Sequence, residues 1–323
     1  MKNFYRMAAA GLLLLLLCFS ASAQRLIPGG NTIGLSLRTD GVAIVEFSGT
    51  LPKRAGLRQG DIITKINGKP ISDAAQVGAE VAASNGAPLT LGVLRDGEEK
   101  SFTLSPLQTA EGWRLGIYVR DSVTGIGTVT YYDPDSGAFG ALGHGVNDGT
   151  TLLPIRSGTV LPSEVASVSR GAAGTPGSLQ GTLCGRGQCG VIAKNTPQGI
   201  FGTIEPSEGK AIETAKNCEI HPGAATIRAN VRGRQVEEFA VEISAIYPND
   251  DADRNLLLKV TDPTLLSLTG GIVQGMSGSP ILQDGKLVGA VTHVLIDDPT
   301  EGYGIFIENM LAAGRESCGA LNS

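Results

Sequence analysis

Forty-five glycines are scattered through this 323-residue chain, and the apolar runs between them are short and rich in Val, Ile, Leu and Thr. Such runs cannot carry the long stripe of every third and fourth residue that a helix needs, so they read as strands joined by tight turns. They fall at 115–119, 127–132, 190–193, 199–204, 224–231, 236–245, 256–260 and 271–273, and the best helical pattern beyond them is 307–313. Hydrophobic residues make up 41% of the chain, enough for two domains with real cores. The spacing predicts a mainly β protein whose second domain is two packed barrels. The formal charge of −5 leaves no basic face for nucleic acid, and that class of partner is excluded.

Residues 1–23 read as an export signal: Lys2 and Arg6, an apolar run from Met7 to Leu17, then Ala21-Ser22-Ala23 before Gln24. An uncleaved membrane anchor is the competing reading, although the apolar run is shorter than a span requires. After removal of that segment Cys184, Cys189, Cys218 and Cys318 remain. Export permits disulfides and four cysteines allow three pairings, one of which joins Cys184 to Cys189 across a small loop and leaves Cys218 with Cys318; reduced buried thiols are the alternative. The spacing is not that of a zinc ribbon, so no metal is expected, and no cofactor either.

The first domain is expected at 24–105. It contains Ala55-Gly56-Leu57-Arg58-Gln59-Gly60-Asp61, then Ile66-Asn67-Gly68-Lys69, in which Asn-Gly is a two-residue hairpin turn. A helix is predicted over 73–84 with Ala74, Val77, Val81 and Ala82 on one face, and Asp96-Gly97 turns the last hairpin. The polar stretch 106–111 marks the boundary to a second domain at 106–323.

In the second domain Gly275-Met276-Ser277-Gly278-Ser279-Pro280 places a serine between glycines. Glycine permits positive φ and close approach of a substrate backbone, so Ser277 is the candidate nucleophile and the Gly275 and Ser277 amides the candidate oxyanion hole. Asp284-Gly285 then turns one strand into the next. A serine needs a base, and the chain has three histidines. His144 follows an apolar strand ending in glycines, His293 lies sixteen residues after Ser277, and His221 sits before Pro222. Ser279 competes with Ser277 as the nucleophile.

Ser277-Gly278-Ser279-Pro280 and the following hairpin resemble the nucleophile loop of chymotrypsin-like serine peptidases. More specifically, GMSGSPI, GAVTHV, DDPTEGYGIFIENML and, far upstream, FGALGHG are similar to the SpoIVB peptidase family of endospore-forming bacteria, whose members carry a PDZ domain before a peptidase domain. The 55–71 segment likewise resembles the signature of bacterial PDZ domains. The resemblance implies a PDZ domain followed by a chymotrypsin-like double β-barrel. It implies a triad of Ser277, His144 and Asp262, with Thr292, His293 and Val294 lining the substrate. Asp262 stands fifteen residues before Ser277, unlike the chymotrypsin aspartate, and capping the turn before Pro263 is its alternative role; Asp133, Asp135 and Asp148 are reserves. By analogy Gly271 would floor the P1 pocket, favouring an uncharged residue. Thr32, Ile33, Gly34 and Leu35 would form the loop of the PDZ peptide groove.

The function implied is an exported serine endopeptidase that cleaves a membrane-associated regulatory protein, and itself in trans, in sporulation signalling. It would act between the membranes of a developing spore or outside the cell. The alternative is a PDZ-based scaffold whose peptidase domain is inactive, which predicts no reaction with a serine-directed phosphonate.

Overall fold

The computed structural model describes residues 24–148, 151–184, 187–205 and 208–315; residues 1–23, read above as an export signal, and Cys318 lie outside the described residues. The protein is mainly β and contains two closed six-stranded barrels. Around the first barrel the strands run Thr32–Phe47, Ile117–Tyr132, Ala138–Ala141, Gly199–Ile204, Gly190–Thr196 and Ile155–Ser169, the last pairing back to the first. Alternation fills its interior: Ile33, Leu35 and Leu37 point inward from one strand and meet Val129, Phe139, Val160, Ile192 and Ile200.

The second barrel is built from Gly223–Arg232, Gln235–Ile246, Leu256–Val260, Glu301–Phe306, Lys286–Val294 and Pro280–Gln283 in that order around the wall. Its core includes Ile227, Phe239, Ile243, Leu258, Ile281 and Phe306. The closing helix, Ile307–Arg315, buries Ile307, Met310 and Leu311. That i, i+3, i+4 stripe packs with Tyr131 and Phe201 of the first barrel, and with Leu287 and Ile305 of the second. The 271–273 run, expected as a strand, is a loop instead, and its side chains Ile272 and Val273 join the second core.

The PDZ domain has a separate core of Val42, Ile44, Ile63, Ile66, Val77, Val81, Leu91 and Val93. Its helix, Ala74–Ala83, is capped by Asp73, whose carboxylate accepts from the Gln76 amide at 2.8 Å. Asp61, from the Gly60-Asp61 step of the signature, is buried and takes two charge-assisted hydrogen bonds from Arg95, at 2.6 and 2.7 Å.

The expected boundary at 105/106 does not describe how the cores divide. Strands Thr32–Phe47 and Ile117–Tyr132 are each 16 residues long and belong to both bodies. Thr32 to Arg38 pairs with Thr128 to Ser122 in the barrel, and Ala43 to Phe47 pairs with Arg120 to Ile117 in the PDZ body. The PDZ body therefore sits within a barrel hairpin, and Arg25–Pro28 and the first half of Thr32–Phe47 pair with the barrel rather than with the PDZ body.

The same pairing overturns the expected PDZ groove. Thr32, Ile33, Gly34 and Leu35 face Thr128, Gly127, Ile126 and Gly125 on one side, while Ile33, Gly34 and Leu35 face Pro162, Leu161 and Val160 on the other. With neighbours on both edges this segment has no free backbone to capture a peptide. A free edge beside the helix lies at 117–120, which pairs only with 43–47 among the described residues. The Ala74–Ala83 helix runs beside it, with the Ala74 amide donating to Asp121 at 3.1 Å.

Cys184 and Cys189 are separate thiols, not the expected disulfide. The Cys184 amide donates to Pro162 O and that of Cys189 to Val160 O, so the two sit at different registers of one strand, and the Cys189 thiol turns to Val160 O at 3.5 Å. Cys218 is an exposed free thiol.

Candidate active site

The loop between the Pro263–Thr269 helix and the Pro280–Gln283 strand carries Ser277. Its shape is imposed at Gly278, where φ is +96°: a β-carbon there would stand 2.0 Å from Thr128 O and 2.5 Å from the Leu142 amide nitrogen. Only glycine lets the nucleophile loop lie directly on the strand and the turn of the other barrel. Three carbonyls of the loop are held by that strand: Gly275 O accepts from Thr128 Oγ1 at 2.8 Å, Ser277 O from the Thr128 amide at 3.1 Å, and Gly278 O from Thr130 Oγ1 at 2.8 Å.

The two candidate oxyanion amides are aimed by their neighbours. Gln274 O accepts from the Leu179 amide at 2.8 Å and Met276 O from the Ser279 amide at 2.9 Å. In a trans peptide the N–H points opposite its carbonyl, so the amides of Gly275 and Ser277 are turned away from those partners. Neither amide meets an acceptor among the described residues, and both residues line the main cavity. Ser279 has no access to that cavity; it is fully buried and its hydroxyl has no partner among the described residues.

His144 faces the same cavity from the first barrel. The Ala138–Ala141 strand ends in two successive left-handed residues, Leu142 at φ 71° and Gly143 at φ 70°, which reverse the chain and project the imidazole. Leu142 is anchored there by its amide, which donates to Thr128 O at 3.2 Å. His144 Nδ1 is 2.9 Å from Gly145 O, so the proton belongs on Nδ1 and Nε2 is left as the acceptor. Burial lowers the pKa of His144, partly countered by that carbonyl. The His293 ring lies 5.0 Å away, centroid to centroid, tilted by 35°. Desolvation, then the charges of His144 and Arg254, pull His293 down to about 4, so it is neutral near pH 7.

The cavity measures about 610 Å³ and is lined by Ser277, His144, Thr292, His293 and Val294 together with Leu35, Leu37, Ile126, Ile272 and Val273. No Asp, Glu, Lys or Arg lines it among the described residues. Gly271 is not at its floor: its φ is +139° and a β-carbon would stand 2.0 Å from Pro299 O, so it is packed beneath a neighbouring loop. The Ser277 hydroxyl donates to Thr292 O at 2.7 Å.

Asp262 is placed elsewhere. Its carboxylate caps the Pro263–Thr269 helix, Oδ1 accepting from Thr264 and Leu265 at 2.8 and 3.0 Å and Oδ2 from Ala240 at 3.3 Å. Three amides thus occupy it, and it is not among the residues lining the cavity. Asp133 is likewise engaged in its own turn, holding Ser136 Oγ and the Asp135 amide. The partner of His144 that sequence reasoning missed is a backbone carbonyl, that of Gly145. Also missed were Thr128 and Thr130, whose trace in the sequence is two hydroxyls at period two in the otherwise apolar 127–132 run.

Two closed barrels, with a serine loop from one and an imidazole from the other facing a shared cavity, define a double-barrel serine peptidase fold, here carrying a PDZ domain. Residues 111–311 match the SpoIVB peptidase S55 family and residues 51–95 match a PDZ domain. The chain belongs to that peptidase family. Among curated proteins it is similar to the periplasmic serine endoprotease DegP of Escherichia coli K12, 44% identical over 59 residues, which is 18% of this chain and 12% of DegP. It is also similar to a putative zinc metalloprotease of Thermotoga maritima, 33% identical over 131 residues, or 36% of this chain and 26% of that protein. The matches thus span between an eighth and about a quarter of these relatives' length. A solved structure of Rv3671c from M. tuberculosis aligns over 61% of this chain and 83% of its own, at 14% identity and a TM-score of 0.34.

Proposed function

We propose that this protein is an exported serine endopeptidase. The observation that carries the reading is the meeting of Ser277, His144 and two amides, unpartnered among the described residues, in one cavity lined from both barrels. In the resting arrangement the Ser277 proton is held by Thr292 O. Rotation about χ1 brings Oγ toward Nε2 of His144, which takes the proton as Oγ attacks the scissile carbonyl. The amides of Gly275 and Ser277 receive the developing oxyanion, and His144 returns the proton to the leaving amine. Water then repeats the sequence on the acyl-enzyme. Gly145 O keeps the imidazole in the competent tautomer, the task usually given to a carboxylate.

Thr292, His293 and Val294 line the path of the substrate backbone, and the apolar walls favour an uncharged residue at the cleaved position. The substrate is a membrane-associated regulatory protein of sporulation, with cleavage of a second copy of this chain in trans. The PDZ body recruits such a chain, or controls when the site works, by adding a peptide strand to the free edge at 117–120. Residues 1–23 direct export, to the space between the membranes of a developing spore or outside the cell.

Intact-mass spectrometry after incubation with an alkyl fluorophosphonate tests the catalytic reading. Wild type should gain one adduct, mapped to Ser277, and, in a parallel incubation without the phosphonate, release fragments of itself, while Ser277→Ala should do neither. A wild-type protein that stays unlabelled, or a mutant labelled equally, selects the inactive scaffold.

A further inference from the structure

We propose that Thr128 is a positioning residue for the oxyanion site, an inference that rests on the peptidase reading above. An oxyanion amide is only as well aimed as the two peptide planes beside it. At Gly275 the preceding plane is held by Leu179, through Gln274 O, and the following plane by the Thr128 hydroxyl, at 2.8 Å. At Ser277 the preceding plane is held within the loop, through Met276 O and the Ser279 amide. The following plane is held by the Thr128 amide, at 3.1 Å. One residue therefore closes both brackets.

Thr128 also reaches the base. Its carbonyl accepts from the amide of Leu142, two residues before His144. Donor hydroxyl, donor amide and acceptor carbonyl thus tie Gly275, Ser277 and the His144 turn to a single point. The donor side of the bond is buried, Thr128 being 1% exposed, so a side chain without the hydroxyl leaves Gly275 O without its partner from the strand. Gly275 needs that bond because its φ of +97° is one of many a glycine could adopt. Without the Thr128 hydroxyl the 275–276 plane turns and the Gly275 amide loses its aim.

Thr130 supplies the comparison. Its hydroxyl makes an equally short and more deeply buried bond to the same loop, at Gly278 O. The amide of Gly278 is already spent on Val291 O at 2.7 Å, and the 278–279 plane adjoins neither oxyanion amide: it reaches that of Ser277 only at second hand, through the Ser279 amide and Met276 O. A merely structural role predicts that losing either hydroxyl has the same effect. Positioning predicts that Thr128, which holds planes adjoining both amides directly, matters far more to chemistry than Thr130.

Full-length Thr128→Val, Thr128→Ser and Thr130→Val proteins are labelled with the alkyl fluorophosphonate over a concentration series, and melting temperatures are recorded alongside. Valine keeps the shape and β preference of threonine. Thr128→Val should lower the limiting labelling rate about 10- to 100-fold, with the half-saturating concentration within about twofold of wild type. Thr128→Ser should recover most of the rate, and Thr130→Val should stay within about threefold of wild type despite a comparable fall in melting temperature. Thr128→Val at the wild-type rate, equal losses in the two valine variants, or failure of serine to rescue would each overturn the inference. A wild-type protein that never labels at Ser277 overturns the peptidase reading, and this inference with it.

Discussion

The second barrel is one unbroken stretch, residues 223–306, whereas the first is interrupted between its two longest strands by an entire PDZ body. Each barrel gives one half of the site, but in different ways. The nucleophile loop belongs to the unbroken barrel, yet its carbonyls are held from the interrupted one, by Thr128 and Thr130. The base sits on a turn of two left-handed residues, one of them a leucine, which is stable only because surrounding packing over-determines it. The interrupted barrel is thus the side on which the site's geometry depends, and its strand Ile117–Tyr132 runs from the free PDZ edge to the nucleophile loop.

The sharpest test of that division removes the base. His144→Ala should lower fluorophosphonate labelling and peptide cleavage by about 10⁴-fold or more, as loss of a triad base does elsewhere. Cleavage near the wild-type rate would move the base to His293 and leave the first barrel without a chemical role. Next in size is the contact between the halves. Gly278→Ala puts a methyl group 2.0 Å from Thr128 O at a φ of +96°. Strain and overpacking together should cost about 2–4 kcal/mol in chemical denaturation, with labelling lost in parallel. An unchanged midpoint would mean that the barrels do not bear on one another there.

A smaller effect separates Asp262 from the site. Asp262→Ala removes the cap of the Pro263–Thr269 helix and should cost about 1 kcal/mol of stability while leaving the labelling rate within a few-fold of wild type. A collapse in labelling with stability intact would restore the acid role that the motif implied.

What was legible in the sequence follows the same division. The turns Asn67-Gly68, Asp96-Gly97 and Asp284-Gly285 all have positive φ at both residues, as two-residue hairpins require, and they join the strands expected of them. The helix over 74–83 and the closing helix from 307 also lie where periodicity put them. These are local features, decided by neighbouring residues. The Ile155–Ser169 strand went unseen because Pro162 interrupts it and Ser, Thr and Glu break its apolar run, yet it holds the barrel together between Thr32–Phe47 and Gly190–Thr196. Thr32 to Leu35 was misread for a related reason: a strand continuous through two bodies carries no punctuation where it passes from one to the other. Asp262 shows the limit of motif spacing, since a residue before Pro263 serves equally as a cap, and only coordinates show that three amides claim it.

The smallest prediction concerns the protonation of the base. His144 catalyses only when neutral, and burial lowers its pKa, so the acid limb of the labelling rate should have its midpoint below the ordinary histidine value of about 6.5, with activity lost as pH falls through it. His293 covers one side of that imidazole, its ring centroid 5.0 Å away, and is itself neutral over this range. Replacing it by alanine admits water to His144 and relieves part of the desolvation, so the midpoint should rise toward 6.5. The limiting rate above pH 7.5 should change little, because the small phosphonate needs no contact with the substrate-lining strand. A midpoint that stays put in His293→Ala would mean that the low pKa is set by the barrel wall beneath His144, and a midpoint that falls would mean that His293 shares the proton.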